Sequence, residues 1–316
     1  MSKVYITDYI KDPYIEKEIL GSNLSTSSNK NIEVLLVWHE RIDSDYIDQF
    51  PNLKAVVRYG VGYDVIDLRV LREKKIVFCN TPDYGTDEVS DTAVGMILNV
   101  TRGISRYDVN CRNYENNLWQ ENTIIPLKRS SQMTVGVVGA GRIGGSILRK
   151  LKAIGFKILF FDPYKERGYE KMLDSGRVES LDELLSVSDI VSINTPLTKE
   201  TKGMVDINFI NKMKDGAIFV NTARGEIVDN LDDFIQPLKT GKIFGLAFDV
   251  LPHEPPNDCN LINEWRERKD WIDGKLIINP HVSYYSKNAY KEMREKAAKN
   301  AKRILDGKKP FNIITG

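Results

Sequence analysis

The sequence predicts an α/β fold in two units, the larger one built on a doubly wound parallel sheet. Three observations carry this. Short apolar runs rich in β-branched residues alternate with helical segments along most of the chain. The rhythm restarts with more force after Ser130-Ser131. A glycine-rich turn joins the first strand and helix of that second series. The length of 316 residues suits two domains at ~150 residues each.

In the first series, strands are expected at residues 3–6, 34–38, 55–58 and 76–79, with a short helix at 67–75. From Thr86 to about Asn113 the pattern is helical and rather apolar (Val89, Ala93, Met96, Ile97, Val100, Ile104). A helix that long needs a second domain or a second subunit to cover it. In the second series, residues 134–138, 157–161, 189–194, 217–221, 244–250 and 276–279 are continuous apolar runs, as expected of parallel strands buried on both faces. Residues 252–275 are long and polar and read as a loop with at most one helical turn. The last helix, 286–305, is amphipathic and stops at Asp306-Gly307.

Composition narrows the function. Hydrophobic residues make up 41% and charged residues 28%, ordinary for a protein with a sizeable core. Lys+Arg 45 against Asp+Glu 44 leaves +1, so no global field favours nucleic acid or an anionic membrane. No apolar run approaches the ~18 residues of a membrane helix. The opening Met1-Ser2-Lys3-Val4-Tyr5 runs directly into a strand, so no signal peptide is expected. Cys79, Cys111 and Cys259 are far apart with no CxxC; neither a disulfide framework nor a metal site is expected, and a reducing cytoplasm is the expected setting.

Gly139-Ala140-Gly141-Arg142-Ile143-Gly144 is a GxGxxG placed between a strand and a helix. Its first glycine allows the tight turn, the second lets backbone approach a pyrophosphate, and the third lets helix and strand pack closely. Exposed amides at the helix start would hold the pyrophosphate. Asp162, at the end of the second strand of that unit, stands at the usual offset of about 20 residues, where a carboxylate bonds the ribose hydroxyls and repels a 2′-phosphate. NAD is therefore expected over NADP. Lys165 and Arg167 nearby read as solvated loop charges.

Hydride transfer at a carbinol carbon needs a proton donor and acceptor that works near neutral pH. The histidines are His39, His253 and His281. His281 follows a strand end and a proline, at the edge where open α/β sheets place their sites; a structural histidine is the plainer alternative. His39 and His253 read as loop residues. Arg224 also ends a strand, where a guanidinium can fork onto a carboxylate or merely cap the strand; position alone does not decide. Glu254 by itself reads as a loop carboxylate.

Three blocks containing these residues, Asn221-Thr222-Ala223-Arg224-Gly225, Asp249-Val250-Leu251-Pro252-His253-Glu254-Pro255 and Asn279-Pro280-His281, resemble signatures of the D-isomer-specific 2-hydroxyacid dehydrogenases. So do Arg58-Tyr59-Gly60-Val61-Gly62-Tyr63-Asp64 and Asn194-Thr195-Pro196-Leu197-Thr198-Lys199-Glu200-Thr201. The resemblance spans nearly the whole chain. Within the family, the stretch from His281 to Ser286 and Glu292-Met293-Arg294-Glu295 is most similar to the C-terminal-binding-protein corepressor branch, which carries Trp where this chain has Tyr284.

The resemblance implies two Rossmann-like or flavodoxin-like domains, with the NAD-binding domain (82–287) inserted into a smaller substrate domain (1–81 and 288–316). It implies a homodimer formed through the 86–113 helix. Arg224 would bind the carboxylate and carbonyl oxygen of a small 2-hydroxy or 2-keto acid. His281 would exchange the proton, and Glu254 would favour its imidazolium. The loop at 59–62, with Arg58, Val61 and Gly62, would hold the carboxylate, and Tyr284 would line the substrate pocket or pack at the domain hinge. Besides the fingerprint residues and Asp162, NAD would be contacted by Thr195, Pro196, Thr201, Thr222 and Ala223, with Asp249 on the nicotinamide carboxamide. Formate dehydrogenases of the superfamily carry glutamine in place of this glutamate, so Glu254 argues against that activity. An NAD-sensing scaffold or phosphite oxidation would use the same three residues.

Overall fold

The computed structural model describes residues 2–124 and 127–315; Met1 and Gly316, the ends of the expected first domain, lie outside them. The described strands are β1 (Val4–Ile6), β2 (Val34–Val37), β3 (Ala55–Arg58), β4 (Val77–Cys79), β5 (Thr134–Val138), β6 (Lys157–Phe161), β7 (Gly176–Arg177), β8 (Ile190–Ile193), β9 (Ala217–Asn221), β10 (Ile243–Phe248), β11 (Leu276–Ile278) and β12 (Ile313–Thr315). The chain divides into two compact units, Met1–Gly85 with Tyr284–Gly316, and Thr86–Ser283. The crossings thus fall a few residues from the boundaries expected at 81/82 and 287/288.

The first unit is a five-stranded sheet in the order β1-β2-β3-β4-β12. The first four strands are parallel and β12 is antiparallel to β4. The short β12 carries little periodic signal and was not anticipated by pattern. The helix Lys287–Leu305 starts where Ser286 Oγ accepts the Ala289 N–H, an ordinary N-cap. Its buried face (Ala289, Met293, Ala297, Ala298, Ala301) packs with Val34, Leu36, Ala55 and Val57 of the sheet. Small alanines let helix and sheet approach closely.

The second unit is a seven-stranded sheet, β11-β10-β9-β8-β5-β6-β7, parallel throughout. Chain order reverses at β5, which sits between β8 and β6; ligands bind such α/β sheets outside the strand carboxyl ends at that switch. Its strands are apolar on both sides because alternate residues enter different cores. Val135, Val137, Ile218, Val220 and Ala247 join one, and Val138, Val191, Ile193, Phe219 and Phe248 the other.

Two expectations are corrected here. The helix expected from Thr86 to about Asn113 is two, Thr86–Arg102 and Ile104–Arg112, broken at Gly103 with φ 64, a left-handed conformation that glycine takes without strain. Most of its apolar face, Ala93, Val94, Met96, Ile97 and Val100, is buried in the second unit's own core, while Ile104 is exposed. Residues 252–275 are more ordered than a loop with one turn, holding the helix Asn260–Arg266 with Leu261 and Ile262 buried.

Candidate active site

The fingerprint closes on itself as its spacing requires. A Cβ at Gly144 would lie 2.0 Å from the Gly139 carbonyl oxygen, so no other residue lets this helix start so close to β5. Gly141 differs: it precedes the helix Arg142–Ile154 with no side-chain cap, and a Cβ there would meet nothing within 4 Å. The first-turn N–H groups, with Arg142 exposed and Ile143 half-buried, therefore face open space and suit an anion.

Around them, at or just beyond the carboxyl ends of β8, β9 and β11, the hydroxyls of Thr195, Thr222 and Ser283 are buried without a hydrogen-bond partner. Burying an unmatched hydroxyl costs about 1–3 kcal/mol. Such a row beside an uncapped helix start fits the ribose, pyrophosphate and amide groups of a dinucleotide. Asp162 ends the row: its Oδ2 accepts the Ala140 N–H at 2.9 Å and its Oδ1 the Tyr164 N–H at 3.0 Å. Lys165 lies over the Tyr169 ring and Arg167 pairs with Glu179, the solvated-charge reading. Pro196 and Thr201 have a local role: Thr201 Oγ1 donates to the Pro196 carbonyl at 2.7 Å and accepts the Thr198 N–H at 2.8 Å, closing their turn.

The strand ends of the same sheet bring Arg224, Glu254 and His281 around one recess of about 160 Å³, lined also by Gly225, Glu226, Leu251 and Pro252. Asn221, fully buried at the end of β9, builds the arginine's turn: its Nδ2 donates to the Arg224 carbonyl and its Oδ1 accepts the Ala223 N–H. Arg224 Nη1 donates to the Ala223 carbonyl at 2.8 Å. Gly225 lets this turn lie against the next loop, since a Cβ there would stand 2.0 Å from the Leu251 carbonyl.

Glu254 Oε1 accepts the Leu251 N–H at 2.9 Å, and its Oε2 stands 2.7 Å from His281 Nδ1. Burial would raise the Glu254 carboxyl. The hydrogen bond and charge of His281, the Leu251 N–H and the charge of Arg224 outweigh it and hold the group below its ordinary value.

Asp249, expected at the nicotinamide carboxamide, anchors the His281 loop. Its buried carboxylate accepts the N–H groups of Val282 (3.0 Å) and Ser283 (3.1 Å), and its carbonyl accepts the His281 N–H at 2.8 Å. These bonds hold His281 at φ 54, a backbone conformation uncommon outside glycine. Asn221, Gly225 and the anchoring role of Asp249 were missed in sequence, where only block membership marked them.

The first unit carries the other expected residues. In the loop after β3, the Arg58 guanidinium folds over Gly60, 2.7 Å from where a Cβ would be. Val61 is exposed and Gly62 half-buried. Tyr284 packs edge-on to Tyr84 and Trp38 at the fringe of that unit's core, which is the packing alternative, while Tyr285 is exposed. His39 is a loop residue whose N–H donates to Asp8 Oδ2. His253 is exposed in the β10–Asn260 connection. Among the described residues, no group of His, Cys, Asp and Glu could hold a metal ion, and no helix is long and apolar enough to cross a membrane.

A glycine-rich turn at the switch point, a carboxylate ending the second strand and a His–Glu pair beside an arginine define a nicotinamide-dinucleotide oxidoreductase. Residues 94–283 match the D-isomer specific 2-hydroxyacid dehydrogenase, NAD binding domain family. The chain is 32% identical over 328 aligned positions to a glyoxylate reductase of Thermofilum pendens, covering 99% of this chain and 94% of the relative. It is 30% identical to a glycerate dehydrogenase of Methylorubrum extorquens, over 89% of this chain and 85% of that one. The structure of D-lactate dehydrogenase from Aquifex aeolicus, complexed with NAD and lactic acid, superposes with a TM-score of 0.84 at 28% identity, over 99% of both chains. The chain belongs to the D-isomer specific 2-hydroxyacid dehydrogenases and is an NAD-dependent oxidoreductase of 2-hydroxy and 2-keto acids.

Proposed function

We propose that this enzyme interconverts a small 2-keto acid and its D-2-hydroxy acid, with Arg224, Glu254 and His281 as its catalytic groups. The observation that carries the reading is the 2.7 Å contact between His281 and Glu254 on the same recess as Arg224. NADH, when bound, supplies the hydride that reduces the keto carbon, and NAD takes it back in the reverse direction. The second unit, with Gly139–Gly144 and Asp162, is its domain; the first unit is the substrate domain.

In reduction, Arg224 binds the substrate carboxylate and polarises the carbonyl oxygen, using its planar fork. An imidazolium carries a proton on both ring nitrogens. His281 donates one through Nδ1 to Glu254 and gives the other, from Nε2, to the oxygen as the C–O π electrons become the alkoxide pair. Glu254 stabilises the charged ring, so the proton is present when needed and its transfer leaves a neutral imidazole. The half-exposed ring regains its proton from solvent. Oxidation runs these steps backward, with neutral His281 as the base.

The finer setting follows the same reading. Ile104, Tyr114 and Trp119 are exposed apolar side chains on one stretch of the second unit, suited to a homodimer contact. Cys79, Cys111 and Cys259 are unpaired, in keeping with the cytoplasm.

The test is a panel of glyoxylate, hydroxypyruvate and pyruvate with NADH, followed by loss of NADH absorbance. Turnover of at least one is expected, and its loss in His281→Ala with NADH binding retained. A fully active His281→Ala enzyme would overturn the mechanism.

A further inference from the structure

The loop after β3 is held from below by two residues that the reading above leaves unused. Asn80 and Thr81 follow β4, next to β3 in the sheet, and are 4% and 1% exposed. Thr81 Oγ1 donates to the Arg58 carbonyl at 2.9 Å and the Thr81 N–H to the Gly60 carbonyl at 3.2 Å. Asn80 Nδ2 donates to the Val61 carbonyl at 2.7 Å.

A trans peptide is planar, with its C=O and N–H pointing opposite ways. Turning the Gly60 carbonyl toward Thr81 therefore turns the Val61 N–H away from it. Turning the Val61 carbonyl toward Asn80 does the same to the Gly62 N–H. Neither N–H meets an acceptor among the described residues. Successive free N–H groups of this kind receive an anion.

The Asn80 side chain does this at a cost, because its own Oδ1 is buried without a partner. An aliphatic side chain in the same place would bury nothing unmatched but could not hold the carbonyl. The residue before the turn is pinned as well: Tyr59 is fully buried and its hydroxyl donates to Glu16 Oε1 at 2.9 Å.

We propose that Asn80 is a positioning residue for the reaction: by holding the Val61 carbonyl it aims the Val61–Gly62 backbone amides at the carboxylate of the 2-keto acid. This rests on the substrate class proposed above. Asn80 touches no reacting atom; its effect is on how firmly the acid is held.

The experiment compares the best keto acid of the panel with its methyl ester, which keeps the reacting carbonyl but lacks the anionic carboxylate. Wild type, Asn80→Leu and Asn80→Asp are each assayed with saturating NADH. For the acid, Asn80→Leu is expected to raise KM by about tenfold, the worth of one such hydrogen bond, with kcat changed less than about twofold. For the ester, kcat/KM should stay within about twofold of wild type. Asn80→Asp, nearly identical in shape, removes the donor and adds a charge that repels the acid, so it should raise the acid's KM at least as much. It serves also if the leucine variant fails to fold. Acid and ester falling together in both variants would make Asn80 a structural residue only and overturn the proposal, as would an unchanged KM for the acid. Wild type failing on every keto acid would instead overturn the substrate class itself.

Discussion

Arg224 is set by the end of β9 and held by a contact to the Ala223 carbonyl, so its fork is directed before substrate arrives. Arg224→Lys keeps the charge but loses the second parallel hydrogen bond. It should lower kcat/KM for keto-acid reduction by about 2 kcal/mol, roughly thirtyfold, measured by steady-state kinetics. Glu254 and His281 are coupled, and pH reads the coupling. The Glu254 carboxyl lies below its ordinary value, so its stabilising contacts are complete above the unfolded value of about 4.3 and are lost only as pH falls through the lower folded value. It thus stays charged wherever His281 works. In Glu254→Gln the alkaline decline of reduction should move to lower pH, since the imidazolium loses its charge partner. Matching profiles for variant and wild type would remove Glu254 from the proton's control. The Asp162 carboxylate ties down the glycine turn through Ala140. NADH should exceed NADPH by at least about tenfold in kcat/KM, about 1.4 kcal/mol. Asp162→Ala should narrow that ratio while weakening NADH itself.

At the scale of elements, what matters is how two loops meet. The turn after β9 and the one after β10 touch at Gly225 and Leu251, where a Cβ would collide with backbone, which cannot swing aside as a side chain would. Gly225→Ala should part the two loops at a cost of about 1–3 kcal/mol in stability. Activity should fall by at least about tenfold, because even a 1 Å misplacement is costly. Chemical denaturation and kinetics on one preparation check both. The helix broken at Gly103 illustrates how far pattern reaches. Apolar spacing marks Ala93, Ile97 and Val100 as one buried stripe. One glycine within a helical run can be tolerated or can end the helix, so the break was not legible.

At the scale of the molecule, the chain leaves its first unit at Gly85 and returns at Tyr284, and a buried ion pair joins the two pieces. Glu16 is fully buried and Arg294 3% exposed; Arg294 Nε donates to Glu16 Oε1 at 2.9 Å, and its Nη2 to the Asp12 carbonyl at 2.8 Å. Removing one partner strands the other in the core. Glu16→Ala should destabilise the enzyme by about 3–5 kcal/mol, read from urea denaturation. Cofactor binding acts in the opposite direction: NADH at a hundred times its Kd should add about 2.7 kcal/mol to the unit holding the fingerprint, seen by calorimetry.

The strands and the fingerprint were legible in the sequence because each rests on local order, and the three candidate catalytic residues only through the resemblance of the blocks around them. Buried parallel strands are runs of apolar residues, a phosphate-binding turn needs its glycines at fixed spacing, and Arg224, Glu254 and His281 stand inside ordered blocks. Only the tertiary structure decided that Asp249 anchors the His281 loop, that Gly225 fits against Leu251, that Asn80 turns a peptide after β3, and that Glu16 finds Arg294 far along the chain. Those are contacts between the ends of different strands, or between residues 278 apart. Their partners are chosen by which strands lie side by side, and no residue's own spacing encodes that choice.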